Sequence, residues 1–424
     1  LEDAPSKTVS GGPTPIGTWT LGKTAALNTV TVTVAGLPVA SINVNGKAGP
    51  ATAIAFIAGA NQRGVAGGAL TTTPVAQVRD QFANGVAGAS VVFTVADGGG
   101  IVSTVALITD ASGNAAASSW RLGKSATPQA LRAASGTLTA TLAAEILSDY
   151  DIDLRFYGPA MPPAAAAAFT AAAGRIKASV IGDLADLTLS QQANVGGCGA
   201  TGIVLPIGTV IDDVIIYAAV APIDGPKNVL AFAGPCFIRE SNALTTIGVM
   251  QFDAADIDNL ISVGNIQDVI QHEMLHVVGI GTLWTYKGLL AGAHTVDSRF
   301  TGALGINACI GMGGMQVCPN SVPVENTGGG GTADGHWRET TFGTELMTGF
   351  IQLVNPFSTM SIQSIGDLGY VVNPQAADAY SIPGFSAQQT RASILSDLSP
   401  QWESVSAPKM MISKTGRIIP VEKQ

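Results

Sequence analysis

Gln271-His272-Glu273-Met274-Leu275-His276-Val277-Val278-Gly279 holds two of the chain's four histidines, spaced as i and i+4. On a helix those positions share a face with Cβ atoms about 5–6 Å apart, so both imidazoles can reach one Zn²⁺ at about 2.0–2.1 Å. Glu273 stands beside that face, where a carboxylate can take a proton from water without filling the coordination site. Val269 and Ile270 before the motif, and Leu275, Val277 and Val278 within it, predict a largely buried helix. Gly279, three past His276, is a candidate for the left-handed residue that ends the helix and turns the chain.

Outward from this stretch, 424 residues exceed one ordinary core and predict about two or three domains. Only 12% of residues are charged and 51 are glycine, which favours a loop- and strand-rich secreted protein over a charged cytosolic one. A net charge of −9 without a basic run argues against nucleic acid as a partner. The longest uncharged stretch, Phe156 to Gly174, is broken by Pro159, Pro162 and Pro163 and is otherwise mostly alanine, so no membrane span is expected. Leu1-Glu2-Asp3 has neither an initiator Met nor a signal peptide's basic and apolar regions, which suggests a processed or trimmed form. Of the pairings open to the four cysteines, proximity favours Cys198 with Cys236 and Cys309 with Cys318, in an oxidising compartment. The alternative, a second thiolate zinc site, lacks the paired spacing of zinc knuckles.

Residues 1–146 have all-β texture. Val30-Thr31-Val32-Thr33-Val34 and Val91-Val92-Phe93-Thr94-Val95 alternate, with turns at Ala83-Asn84-Gly85 and Ser112-Gly113-Asn114. Trp19-Thr20-Leu21-Gly22-Lys23 recurs as Trp120-Arg121-Leu122-Gly123-Lys124, an offset of 120 − 19 = 101 residues, close to one immunoglobulin-like sandwich of about 100 residues. With Asp80-Gln81-Phe82-Ala83-Asn84-Gly85 and Thr109-Asp110-Ala111-Ser112-Gly113-Asn114-Ala115, the region resembles the bacterial Ig-like repeats of invasin- and intimin-type surface proteins. That resemblance implies a full module over 38–146 and the remnant of one over 1–37. Such modules are spacers or adhesive stalks, and the resemblance implies cell-surface or matrix contact; a plain structural sandwich is the other, favoured reading.

From Leu147 the texture changes. Tyr150–Phe156 reads as a strand, and Phe169, Ala173, Ile176, Val180 and Leu184 recur at helical spacing. Strands follow at Val214–Val220 and Val229–Phe232, and Ile247–Phe252 reads as an edge strand able to pair with an extended peptide. Ser358 caps a helix through Ile362, Ile365 and Leu368 that ends at Gly369. Strand and helix alternate, which predicts an α+β half.

A zinc site needs a third protein ligand. Thr282 occupies the place where the short pattern H-E-x-x-H-x-x-G-x-x-H puts it. His294, Asp297 and His336 are the candidates downstream, and no Glu lies between Val277 and Val324. His336 sits in Asp334-Gly335-His336-Trp337-Arg338-Glu339, followed by Glu345-Leu346-Met347-Thr348-Gly349. In order and local residues, H-E-M-x-H-x-x-G-I-G-T-L-W, a long insert, G-H-W-R-E and E-L-M-T-G resemble the leishmanolysin family of metzincin peptidases, and the gap from His276 to His336 is 336 − 276 = 60 residues.

The resemblance implies a secreted zinc endopeptidase acting on proteins or peptides. It makes His272, His276 and His336 the ligands of one Zn²⁺, Glu273 the general base, Met347 the Met-turn residue and Gly279 the turn. It places the peptidase domain at 147–385, with an insert at 281–335. Residues 386–424 form a tail whose Met411-Ile412-Ser413 and Arg417–Val421 suggest a β-hairpin. The rival reading is a surface adhesin or binding protein that uses its Ig-like modules and keeps the zinc domain as scaffold. A third keeps the peptidase but takes Asp297 as ligand.

Overall fold

The computed structural model describes residues 18–103, 106–125, 127–226, 228–329, 331–383, 402–405 and 407–421, with 402–405 as backbone alone. Leu1-Glu2-Asp3, the rest of the expected remnant up to residue 17, Gly330 of the glycine run and tail residues 384–401 lie outside them.

The described residues start with a hairpin. β1 (Leu27–Val32) pairs antiparallel with β2 (Ala40–Asn45), and the ladder straddles residues 37 and 38. A sandwich follows. β3 (Ala51–Ala58), β4 (Val75–Asp80) and the short strand Asn114–Ala116 form one sheet, and β5 (Ser90–Asp97), β6 (Gln129–Ser135) and β7 (Leu138–Ile146) are the heart of the other. Because strand side chains alternate between faces, Ala76 and Val78, Val91 and Phe93, and Leu131 and Ala133 all point inward, into one core with Leu142, Ala144 and Trp120. The two copies of the repeated tryptophan motif differ here. Trp120 and Leu122 are buried, whereas Leu21 is 37% exposed.

Beyond the sandwich lies a seven-stranded sheet. β8 (Ile152–Phe156) runs parallel to β9 (Val214–Ala221), and β10 (Val229–Arg239) runs antiparallel to β11 (Thr245–Asp253), which is itself parallel to β9. β11 therefore sits between β9 and β10. Ile247–Phe252 lies inside the sheet and not at its edge, because the longer β10 takes the outer place. The outer side of β10 is in turn paired with β12 (Trp402–Val405) and β13 (Met410–Ile412), and β13 turns back antiparallel to β14 (Ile418–Pro420).

Helix α1 (Pro163–Ser179) buries Ala165, Phe169, Ala172 and Ile176. It stops at Val180, which takes an extended conformation, so Leu184 lies past its end. α2 (Ile257–Val263) leads to α3 (Ile266–Val278), which carries the motif. α3 packs so closely on β11 that a Cβ on Gly248 would stand 2.1 Å from Val277 Cγ1. α4 (Ala303–Cys309) belongs to the insert, and Asp367 holds its start by accepting from the Leu304 and Gly305 N–H groups. α5 (Thr359–Leu368) starts at Ser358, whose hydroxyl accepts from Ser361 N, and ends at the left-handed Gly369. The disulfides are Cys198–Cys236 and Cys309–Cys318, with Cα separations of 5.7 and 6.2 Å, so these cysteines form no thiolate metal site.

Sandwich and sheet region touch through named groups. Asn373 Nδ2 donates to Ala66 O at 2.9 Å and to Ala178 O at 3.2 Å. Asp378 faces Lys124 Nζ at 3.5 Å and Arg175 Nη2 at 3.0 Å. Among the described residues, no helix is long and apolar enough to cross a membrane.

Candidate metal centre

α3 presents His272 and His276 on one face, as the i, i+4 spacing requires, and the return of the insert brings His336 to them. The three Nε2 atoms lie 3.0–3.1 Å from one another, and all three residues are fully buried. Each ring's other nitrogen meets a backbone carbonyl: His272 Nδ1 donates to Leu346 O at 2.6 Å, His276 Nδ1 to Ile280 O at 2.9 Å and His336 Nδ1 to Thr332 O at 2.8 Å. A carbonyl can only accept, so Nδ1 carries the hydrogen and the neutral ring keeps its lone pair on Nε2. Three lone pairs turned to one point are a donor set for a cation. Imidazole suits Zn²⁺, and a ring N–H given to a backbone carbonyl is the usual support of a metal-bound histidine.

Gly279 has φ +133° and ends α3; a Cβ there would stand 2.6 Å from Leu283 Cδ1 and 3.0 Å from Leu368 Cδ1. The turn it makes carries Ile280 O back to His276. Thr282, where the short pattern would place a third histidine, instead caps the helix, its hydroxyl donating to His276 O at 2.6 Å. Gly281 at φ +75° runs against Gly335, whose carbonyl oxygen would lie 2.1 Å from an added Cβ. The two ends of the insert thus meet, and His336 follows directly. Trp337 N donates to Met347 O at 2.9 Å, and Glu325 N donates to His336 O at 2.8 Å. Burial pushes the Glu325 carboxyl up, but the Thr327 hydroxyl and the N–H groups of Glu339, Thr327 and Asn326 outweigh it and hold the group below its usual range. Trp284 and Phe300 pack on the Trp337 ring with centroids 4.6 and 5.4 Å away.

Glu273 is buried on α3 directly after His272. Met347 is buried in the core that holds much of α3, and Leu346 beside it supplies the carbonyl for His272. The two other ligand candidates lie elsewhere. His294 is exposed at φ +61° and pairs with Asp334 at 2.9 Å. Asp297 is exposed and accepts from Arg299 at 2.9 Å and Arg338 at 3.2 Å, and the Arg299 hydrogen bond holds its carboxyl below the usual range.

Sequence reasoning overlooked the three carbonyls, since a backbone oxygen leaves no letter to read. It also overlooked Gly281 and Glu345. Glu345 carried a signal, a lone acid in the otherwise uncharged run from Thr340 to Asn355.

With this geometry in hand, residues 202–382 match the family model for leishmanolysin. None of the curated proteins compared matches the chain. Part of the chain is similar to solved structures. The D00–D0 domain of intimin is 19% identical with a TM-score of 0.18, covering 28% of this chain and 64% of that one. Domains 4 and 5 of the S-layer protein SbsC are 14% identical with a TM-score of 0.21, covering 28% and 65%. The Escherichia coli adhesin FdeC is 18% identical with a TM-score of 0.21, covering 28% and 40%. This chain spans less than two thirds of each.

Proposed function

We propose that the protein is a secreted zinc-dependent endopeptidase of the metzincin type, with His272, His276 and His336 holding one Zn²⁺ and Glu273 as general base. The observation that carries this reading is the convergence of three imidazole Nε2 atoms within 3.1 Å, each ring held at Nδ1 by a backbone carbonyl. The leishmanolysin match over residues 202–382 supports it. Three neutral ligands leave the ion's charge uncompensated, so bound Zn²⁺ supplies Lewis acidity to a water and to a substrate carbonyl.

The chain's own residues do the rest. Glu273 takes the proton of the attacking water as its oxygen bonds to the peptide carbon, and delivers that proton to the amine nitrogen as the C–N bond breaks. Met347 is the Met-turn residue, in the turn whose Leu346 carbonyl orients His272. Gly279 is the turn that releases the insert 281–335. The peptidase domain is residues 147–385, the Ig-like module residues 38–146, and residues 1–37 the remnant of another. Two disulfides accord with an extracellular setting, and the Ig-like modules offer surface or matrix contact. Glu273→Gln is expected to keep one zinc per chain and to lose about 10²–10⁴-fold in hydrolysis of a protein substrate. An unimpaired variant contradicts the assigned role.

A further inference from the structure

Glu345 is fully buried, and four hydrogen bonds reach its carboxyl group. Oε1 accepts from Ser358 N at 3.1 Å, Ser358 Oγ at 2.6 Å and Ser361 Oγ at 2.6 Å, and Oε2 accepts from Met347 N at 2.6 Å. Each serine hydroxyl has one hydrogen to give. Ser358 Oγ already accepts from Ser361 N at 3.3 Å, and Ser361 Oγ from Trp337 Nε1 at 2.8 Å, so both hydroxyl hydrogens go to the carboxylate. Burial raises the acid's pKa, while the two serines and the two N–H groups oppose that rise. An isolated buried acid would be an expensive way to cap α5, which Ser358 already caps through its own hydroxyl.

We propose that Glu345 is a positioning residue of the metal centre: without touching metal or substrate, it sets the places of His272 and His336. This rests on the zinc reading above. Two routes leave the carboxylate. Through Met347 N it fixes the turn in which Leu346 O accepts from His272 Nδ1 at 2.6 Å and Met347 O accepts from Trp337 N at 2.9 Å. Through Ser361 it fixes the Trp337 indole, and Trp337 directly follows His336. The two histidines stand 64 residues apart in the chain, yet one buried anion governs the backbone behind the first and the neighbour of the second. His276 lies on neither route, because its Nδ1 donates to Ile280 O in the turn that ends its own helix. The consequence is an asymmetry. Loss of Glu345 loosens two ligands and spares the third, which loss of general stability would not do.

The test is Glu345→Gln in the full chain. Either orientation of the amide sets its NH₂ against a backbone N–H, that of Met347 or that of Ser358. Zinc affinity is measured by competition with a chelator, and the imidazole Nδ1–H signals by NMR in the zinc-loaded protein. The expected result is a zinc Kd raised about 10–100-fold, with the His272 and His336 signals displaced and the His276 signal in place. Ser361→Ala cuts the indole route alone and is expected to move His336 only, with a smaller loss of affinity. A folded Glu345→Gln protein with wild-type affinity and three unmoved signals overturns the proposal, as does an equal displacement of all three. Should Glu345→Gln not fold, Ser361→Ala decides by the same readouts: a displaced His336 signal supports the proposal, and an unmoved one overturns it. A wild-type chain that binds no zinc refutes the metal reading instead, and the Nδ1–H signals of the metal-free proteins then decide the role of Glu345.

Discussion

The sandwich and the sheet region bury polar groups for different ends. In the sandwich the buried polar side chains bond chiefly to backbone groups. Asp80 accepts from the N–H groups of Gly49, Phe82 and Asn84, Thr109 joins Val86 O to Ala89 N, and Gln129 joins Gly123 N to Thr127 O. The rest of its core is apolar. In the sheet region buried side chains are also tied to one another: His272 to His336, Trp337 to Ser361, and Glu345 to Ser358 and Ser361. Buried polar networks are costly unless every member is satisfied. A set of histidines converging on one point needs one to hold it.

The contrast can be broken most forcefully in the sandwich. Phe93 is fully buried in its core, and Phe93→Ala is expected to remove about 3–5 kcal/mol from the unfolding free energy of that half. In a denaturant titration with zinc bound, the sandwich transition should move and the zinc stoichiometry should not. Joint loss of both would mean that the halves are not energetically distinct.

Chelation is the converse test. Removing zinc is expected to cost the sheet region about 2.7 kcal/mol where free zinc had stood at about 100 times Kd, and to leave the sandwich transition where it was. Scanning calorimetry with and without chelator reads both. A shift confined to the sandwich would contradict the assignment of the ion to the three histidines.

A gentler comparison uses two aspartates. In Asp80 the Asn84 side chain and three backbone N–H groups hold the pKa down at about 2. In Asp213 burial pushes it up to about 6 despite N–H bonds from Asp151 and Leu184. The unfolded value is about 3.9 for both. The depressed Asp80 thus adds stability that is present above about pH 3.9 and is lost as pH falls through about 2. The raised Asp213 adds stability that is present below about pH 3.9 and is lost as pH rises through about 6. Asp80→Asn should flatten the acid limb of the pH–stability curve of the sandwich, and Asp213→Asn the limb near neutrality. Interchanged effects would contradict both assignments.

Much of this was legible in the letters. Alternation in Val91–Val95 identified a strand, and i, i+4 spacing identified the face shared by His272 and His276. Spacing alone left His294, Asp297 and His336 open as third ligand, because their separation from the helix depends on how the insert folds back. The structure brings His336 beside the two helix histidines through Gly281 against Gly335, a contact between distant backbone atoms. The edge-strand expectation for Ile247–Phe252 failed for a related reason. A strand's own sequence does not reveal its neighbours, and β10 came to lie outside it. The carbonyls behind the imidazoles were equally silent, since any residue type supplies one.

The central claim is that the metal centre is completed by His336 across the insert. The most direct test is zinc content by mass spectrometry under native conditions, for the wild type, His336→Ala and Asp297→Ala. The account predicts one zinc per chain in the wild type and in Asp297→Ala, and none in His336→Ala. Retention of zinc by His336→Ala together with its loss from Asp297→Ala would contradict it.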